Sequence, residues 1–288
     1  MALQRLILFS GLLLAVVNTA APNCLSQETK KLTAEEVIAS HLDSIGTAEA
    51  RSAFKSLVAQ GAVTVNVRIG GTGHGNGGAV MASQGPMSLI GLIFGQQEYA
   101  NEKMAFNGQK LTLGEYRPGV RTRFGNFLLT HDVVLREGLL GGTLSTAWPF
   151  YDTNGSKGKV RYLGTKNLND RKAYILSYEP RSGGNLDIKL YFDAETFQHV
   201  RTEYQQEFAA PSVTRPDKAA RQKGTRFKLT EDFSDFRREA NLVLPHNYKI
   251  QLTIDTESDP LLQDWVVTLS QFLFNKTLDA KQFDLTAQ

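Results

Sequence analysis

The chain has 288 residues, of which 41% are hydrophobic and 21% charged, and its formal net charge is +3. A chain of this length buries a sizeable core in one large domain or two small ones. Positive and negative residues are interspersed, which argues against the long basic stretches typical of nucleic-acid-binding proteins. We therefore expect no nucleic-acid partner.

The first residues have the order of a secretory signal peptide. Residues 1–5 carry one positive charge, residues 6–17 are almost wholly apolar, and a small and polar stretch runs on to Ser26. The apolar run is too short to span a bilayer. We predict a signal peptide over 1–26 and a periplasmic or otherwise exported protein. Cys24 is the only cysteine, and the residues before it make a poor lipobox, so an outer-membrane lipoprotein is the less favoured alternative.

Residues 27–288 are predicted to form a single domain that opens with a helix. Thr33 and Glu36 have the spacing of a capping box, an apolar stripe follows, and Gly46 ends the helix. A shorter helix is predicted from Thr47 to about Ser56. The alternating residues from Val63 to Ile69 then predict the first strand.

A glycine-rich stretch, residues 70–78, follows this strand and formally matches G-x-G-x-x-G. That motif binds a nucleotide only where a helix begins at its last glycine. Here the next residues, AVMAS, predict a strand. We interpret the stretch as a hairpin turn and expect no nucleotide cofactor.

The middle of the chain is apolar and interrupts a series of short strands. The run 86–94, PMSLIGLIF, fits either a buried strand or a short helix. Apolar residues at helical spacing then predict a helical insertion over about residues 126–148, interrupted at Gly141 and Gly142.

The rest of the chain, from Gly158, repeats one pattern: an alternating strand, a short polar turn and another alternating strand. In residues 186–204, Ile188, Leu190 and Phe192 point to one face, and a turn begins at Asp193. Short connections make such strands antiparallel neighbours. A polar loop over residues 209–224 interrupts the pattern. We therefore predict an α+β fold with a long antiparallel meander, which curls into a barrel or half-barrel.

No motif in the sequence predicts catalysis or metal binding. The five histidines are scattered, and none has the spacing of a zinc-binding pair. No G-x-S-x-G elbow is present. His131 and Asp132 are adjacent in a predicted helix, where their side chains point about 100° apart. We expect no enzyme, no catalytic residue, no metal and no cofactor.

Large apolar residues, with Phe150 as the last of them, are concentrated in the central third of the sequence. The plain interpretation is that they fill the core between sheet and helices. The functional interpretation is that the helices form a lid over an apolar cavity that binds acyl chains, with Gly138, Gly141 and Gly142 as hinges. The candidate cavity and lid residues are Leu89, Ile90, Leu92, Ile93, Phe94, Phe106, Phe124, Phe127, Leu128, Leu139, Leu140, Leu144 and Trp148.

The order of these parts resembles the bacterial lipoprotein-carrier (LolA/LolB-like) superfamily, and more closely a large exported branch of it. The segments that carry the resemblance are YFDAETFQHVRTEY, EDFSDFRREANLVLPH and the closing FNKTLDAKQFDL. The resemblance covers nearly the whole mature chain. It implies a highly curved antiparallel sheet, an unclosed half-barrel, with helices covering its concave face. It also implies a cavity for lipid acyl chains or lipidated proteins.

Two functions follow as expectations. The first is a non-catalytic binding protein that holds a lipid or acylated ligand, as an outer-membrane lipoprotein carrier or sorting protein does, and contacts the membrane peripherally. The alternative is a sensor or interaction module on the same fold that binds an envelope protein through the loop 209–224 or a sheet edge.

Overall fold

The computed structural model describes residues 32–71, 73–96, 98–115, 119–151, 158–208, 224–257 and 259–287. The predicted signal peptide and Cys24 lie outside the described residues. So does the predicted polar loop, except for Gly224.

Within these described residues, twelve strands form one antiparallel sheet, in the order β5-β4-β3-β2-β1-β12-β11-β10-β9-β8-β7-β6. The sheet is not closed, because β5 and β6 are its two edges. This confirms the predicted unclosed half-barrel and its meander. The strands are β1 (Ser56–Ile69), β2 (Gly73–Gln84), β3 (Met87–Phe94), β4 (Glu102–Phe106), β5 (Leu111–Leu113), β6 (Gly158–Leu168), β7 (Arg171–Pro180), β8 (Asp187–Asp193), β9 (His199–Phe208), β10 (Thr225–Glu239), β11 (Leu242–Asp255) and β12 (Leu261–Phe274).

The helices are few and short. Thr33 and Glu36 form the predicted capping box at the start of α1. The predicted helical insertion begins earlier than residue 126, because Thr122 accepts a hydrogen bond from the Gly125 amide (2.9 Å) and caps α3. The helices are α1 (Ala34–Ile45), α2 (Ala48–Ser52), α3 (Arg123–Thr130) and α4 (Val133–Arg136), with short 3-10 turns at Gly142–Leu144, Ala280–Phe283 and Leu285–Ala287.

One residue on the concave face shows how strongly the sheet curves. A side chain at Gly141 would lie 3.0 Å from Met81 of β2, while the Gly141 amide donates to Glu231 of β10 (2.7 Å). In a flat sheet these two strands, four positions apart, would be separated by about 19 Å. Gly141 reaches both because the sheet wraps around it.

The two ends of the half-barrel differ. At one end α1 covers the turns between strands: His41 contacts the Phe197 carbonyl (3.0 Å), and Gly46 lies against Asn241. We call this the α1 end. At the opposite end, which we call the α3 end, Arg123 pairs with Asp259 between β11 and β12 (2.6 Å). The inward residues of the strands, α1 and α3 form one apolar core.

Two local predictions need correction, and for the run PMSLIGLIF one of the two predicted alternatives is found. The glycines from Gly73 onward lie in β2 rather than in a turn, and no helix starts at Gly78. Side chains at Gly73 and Gly75 would come within 2.6 and 2.5 Å of Tyr99, so these positions leave space for the tyrosine. The run PMSLIGLIF is a strand, β3. The second helix ends before Ser56, because β1 begins at that residue and pairs with β2 and β12.

Candidate functional site

Most of the predicted cavity and lid residues come together in one buried apolar cluster. Ile90, Leu92 and Phe94 of β3 point inward and are buried. Leu89 and Ile93 alternate with them and lie on the opposite face of β3, where Ile93 is 39% exposed. The other predicted residues are buried in the core: Phe106, Phe124, Phe127, Leu128, Leu139, Leu140, Leu144 and Trp148.

A buried carboxylate fastens the predicted lid to the sheet. Glu231 of β10 is fully buried and accepts three hydrogen bonds, from the Gly141 amide (2.7 Å), the Tyr248 hydroxyl (2.5 Å) and the Tyr204 hydroxyl (2.6 Å). Burial raises the pKa of Glu231 to about 7, although the three hydrogen bonds act in the opposite direction. These hydrogen bonds join the helical insertion to β10 through Glu231, and Glu231 in turn to β11 and β9.

An aromatic cluster holds the end of the same segment. The Trp148 indole N–H donates to Nε2 of His41 (3.1 Å), and the indole stacks on His199 with a centroid distance of 4.6 Å. Nδ1 of His41 is 3.0 Å from the Phe197 carbonyl. His41 is therefore neutral, with its proton on Nδ1. Burial lowers the pKa of His41 to about 4.

The predicted hinge glycines are closely packed. Gly138 has a φ of 72°, and a side chain there would lie 1.9 Å from the Ala147 carbonyl oxygen. A side chain at Gly142 would lie within about 3 Å of His199 and Phe233. Close approach of the backbone therefore accounts for glycine at both positions. Hinge motion at these glycines stays a prediction.

Open space lies instead at the α3 end, between α3 and the ends of β9, β10 and β11. We call this space the α3 groove; its volume is about 470 Å³. Its apolar lining consists of Phe127, Phe208, Phe227 and Ile254. Its polar lining consists of Arg123, Asn126, Thr130, His131, Gln206, Thr225, Thr256 and Asp259.

One face of α3 forms a wall of this groove. Arg123, Asn126, Phe127 and Thr130 are spaced as i, i+3, i+4 and i+7, so they share that face. The sequence predicted only Phe127 among them, and identifying Thr122 as the helix cap would have revealed the others. The opposite wall follows from strand pairing, because Phe227 pairs with Ile254 and Gln206 in the sheet. No local sequence signal marks those strand residues as neighbours of α3.

The two ends of the α3 groove differ in charge. At the inner end, His131 and Gln206 are buried, and burial lowers the pKa of His131, partly offset by a hydrogen bond with Gln206. At the outer end, Arg123 pairs with Asp259, and both side chains are substantially exposed, 40% and 62%. Nη1 of Arg123 is buried, and among the described residues it has no hydrogen-bond partner.

Arg123 also lines a second groove, of about 530 Å³. Thr122 and Glu102 lie in this groove and share a hydrogen bond of 2.6 Å. Burial raises the pKa of Glu102 to about 8, so its carboxyl group is mainly neutral at pH 7. Arg123 lines both grooves.

The described residues contain no group of three or more His, Cys, Asp or Glu side chains that could hold a metal ion. Within the same part of the chain, no helix is both long and apolar enough to cross a membrane.

Comparisons with known proteins bear on the fold. No family model matches the chain, and no curated protein matches it. It is similar to the solved structure of a LolA superfamily protein from Nitrosomonas europaea, at 14% identity and a TM-score of 0.48, over 90% of this chain and 100% of that one. It is also similar to a DUF1329 family protein from Desulfovibrio piger, at 9% identity and a TM-score of 0.44, over 88% of this chain and 98% of that one.

A third similar structure is described as an outer membrane lipoprotein-sorting protein domain from Vibrio parahaemolyticus. It is 10% identical, with a TM-score of 0.44, and the match covers 88% of this chain and 97% of that one. Because these TM-scores lie below 0.5, the function proposed below rests on this chain's own residues. The first of these three structures is named as a LolA superfamily protein, the superfamily that the sequence resembles.

Proposed function

We propose that the protein is an exported, non-catalytic binding protein that holds the acyl part of a lipid or lipidated ligand in the α3 groove. The observation that carries this proposal is the groove itself, an open space of about 470 Å³ with a lining of Phe127, Phe208, Phe227 and Ile254. This volume lies within the range of about 300–1,000 Å³ typical of small-ligand sites. Lipoprotein carriage or sorting is the narrower form of the same proposal.

The position of the groove supports reversible binding. It opens at the α3 end, where Phe208 is 46% exposed. An acyl chain laid along α3 would cover this ring and gain about 0.8 kcal/mol for each methylene removed from water. No covalent step is needed for uptake or release.

This site differs from the cavity predicted from the sequence. Leu139, Leu144 and Trp148 are buried, and Glu231 accepts a hydrogen bond from the Gly141 amide of the same segment. We therefore propose that the ligand lies beside α3, at the start of the helical insertion, rather than beneath residues 139–148. The alternative function, an interaction module for an envelope protein, would use either a sheet edge or the loop 209–224, and this loop lies outside the described residues except for Gly224.

Filling the groove is expected to abolish ligand binding. In Ile254→Trp the larger side chain would occupy the space between β11 and α3. A ligand that loses contact with four methylenes would lose about 3 kcal/mol, which weakens binding more than a hundredfold. Equilibrium binding of a fluorescent fatty acid, with native mass spectrometry of the purified protein, measures the effect.

Leu129→Trp is the matched control, because Leu129 is 48% exposed on α3 and does not line the groove. The control should bind as the unmodified protein does, and both variants should melt cooperatively. Equal binding by a folded Ile254→Trp variant would rule out the α3 groove as the site. A protein that takes up no acyl ligand at all would refute the proposed function.

A further inference from the structure

We infer that the ligand of the α3 groove is a single-chain amphiphile with an anionic head group, a carboxylate or a phosphate, and that Arg123 binds this head group. The inference rests on the proposed function and adds the charge and orientation of the ligand. The apolar chain would lie along Phe127, Phe227 and Ile254, and the head group would lie at the outer end of the groove.

The charges of the groove favour an anion at that end. Arg123 is the only Lys or Arg among the described lining residues, and its guanidinium is always protonated. His131, at the other end, is buried with a lowered pKa, so it is neutral at pH 7 and above. A negative head group therefore finds its strongest partner at Arg123, about two turns of α3 away from His131.

The guanidinium of Arg123 is partly accessible at the outer end of the groove, where its Nη2 donates to Asp259 (2.6 Å) and the side chain is 40% exposed. Its Nη1 is buried near Gly70, a residue of the second groove, so a head group in the α3 groove would bind the edge of the guanidinium that Asp259 now contacts. Exposed ion pairs of this kind are weak, because water and salt screen them. A carboxylate or phosphate that also brings an acyl chain into the groove would compete effectively with Asp259.

The neighbouring acidic groups leave this position open to an anion. Glu102 lies in the second groove, where burial raises its pKa to about 8, so it is mainly neutral at pH 7. Glu98, in the same groove, is exposed to solvent. Asp259, which pairs with Arg123, is therefore the side chain that an incoming head group must displace, and it is the second site for a test.

The test compares amphiphiles that share a twelve-carbon chain and differ in head group. Laurate and dodecyl phosphate are anionic, dodecanol is neutral and dodecyltrimethylammonium is cationic. Affinities are measured by calorimetry below the concentrations at which the probes aggregate. We expect laurate or dodecyl phosphate, or both, to bind about tenfold more tightly than dodecanol, and the cationic probe to bind most weakly. The comparison of the two anions distinguishes a carboxylate site from a phosphate site.

Three variants assign the preference to its residue. Arg123→Gln should lower the ratio of anionic to neutral affinity about tenfold, and Asp259→Asn should raise it. Arg121→Gln is the matched control, because Arg121 is exposed and lies outside both grooves. The control should keep the ratio of the unmodified protein. Melting curves establish that each variant is folded.

The possible failures are distinguishable. If dodecanol binds as tightly as both anions, or if Arg123→Gln leaves the ratio unchanged, the inference about Arg123 is wrong while the apolar groove survives. If none of the four probes binds, the proposed function itself fails. Inorganic phosphate that binds as tightly as dodecyl phosphate would show an anion site without a chain site, which also overturns the inference.

Discussion

Replacing Glu231 by alanine is expected to destabilise the protein by about 4 kcal/mol, because it leaves three buried donors without an acceptor. These donors are the Gly141 amide and the hydroxyls of Tyr204 and Tyr248. The loss should also release the helical insertion from β10. Chemical denaturation at pH 7 measures the change in the free energy of unfolding, and a loss below about 1 kcal/mol would contradict this account of the contact.

Glu231→Gln is the matched variant, since it keeps the size of the side chain and one acceptor oxygen. Glu231→Gln should lower the free energy of unfolding by less than half as much as Glu231→Ala does. It also removes the titratable carboxyl group at this position. Burial raises the pKa of Glu231 from the usual 4.5 to about 7. Between these values the folded state holds a proton that the unfolded state has lost, so this contribution to stability falls as pH rises and is constant above pH 7.

The stability of the unmodified protein relative to Glu231→Gln should therefore decrease by up to about 3 kcal/mol between pH 4.5 and pH 7. His41 acts in the opposite direction, because its pKa is lowered to about 4 and its contribution is lost as pH falls below 6.5. Since His41 is present in both proteins, the difference between them isolates Glu231. A difference that does not vary with pH would show that Glu231 titrates normally.

Trp148→Ala is expected to destabilise the protein by about 3–5 kcal/mol, the cost of removing a large aromatic side chain from a packed core. Trp148 is 1% exposed, stacks on His199 and donates its N–H to His41. The variant should lower the midpoint of denaturation while acyl-ligand affinity changes far less than in Ile254→Trp. Denaturation curves and binding measured on the same samples test both statements.

Trp148→Phe serves as the comparison, because it retains most of the ring volume and leaves only Nε2 of His41 without its donor. Its cost should be about 1–2 kcal/mol. If Trp148→Ala were nearly neutral for stability but abolished ligand binding, Trp148 would line an open cavity. That result would support the cavity first predicted beneath the helical insertion and contradict the packed interior.

The elements best predicted from the sequence are those with strong local signals. The capping box at Thr33 and Glu36 and the alternation around Ile188 are both found in the structure. The residues from Gly73 to Gly78 lie in a strand and not in the predicted turn, because the contacts that require glycine are distant in the sequence. Tyr99 lies over two of these glycines, and Gly77 lies against the Ile93 carbonyl of β3. Local composition indicated a turn, whereas tertiary packing requires a glycine-rich strand.

The candidate site was less accessible to sequence reasoning. Apolar content identified residues that are buried in the core, including Leu128 and Trp148, but did not separate them from the residues that line the α3 groove. That distinction depends on how closely side chains from distant strands approach one another. Phe127 and Ile254 come together only through the curvature of the sheet. Arg123 carries no motif, and its importance follows from its position between two grooves.

The most direct test of the ligand site is photochemical labelling with a laurate analogue that carries a diazirine in its chain, followed by peptide mapping. The α3 groove predicts adducts on α3 and on the ends of β9, β10 and β11, near Phe127, Phe227 and Ile254, and unlabelled laurate should suppress them. Adducts on Leu144 or Trp148, or adducts that laurate does not suppress, would contradict binding in the α3 groove.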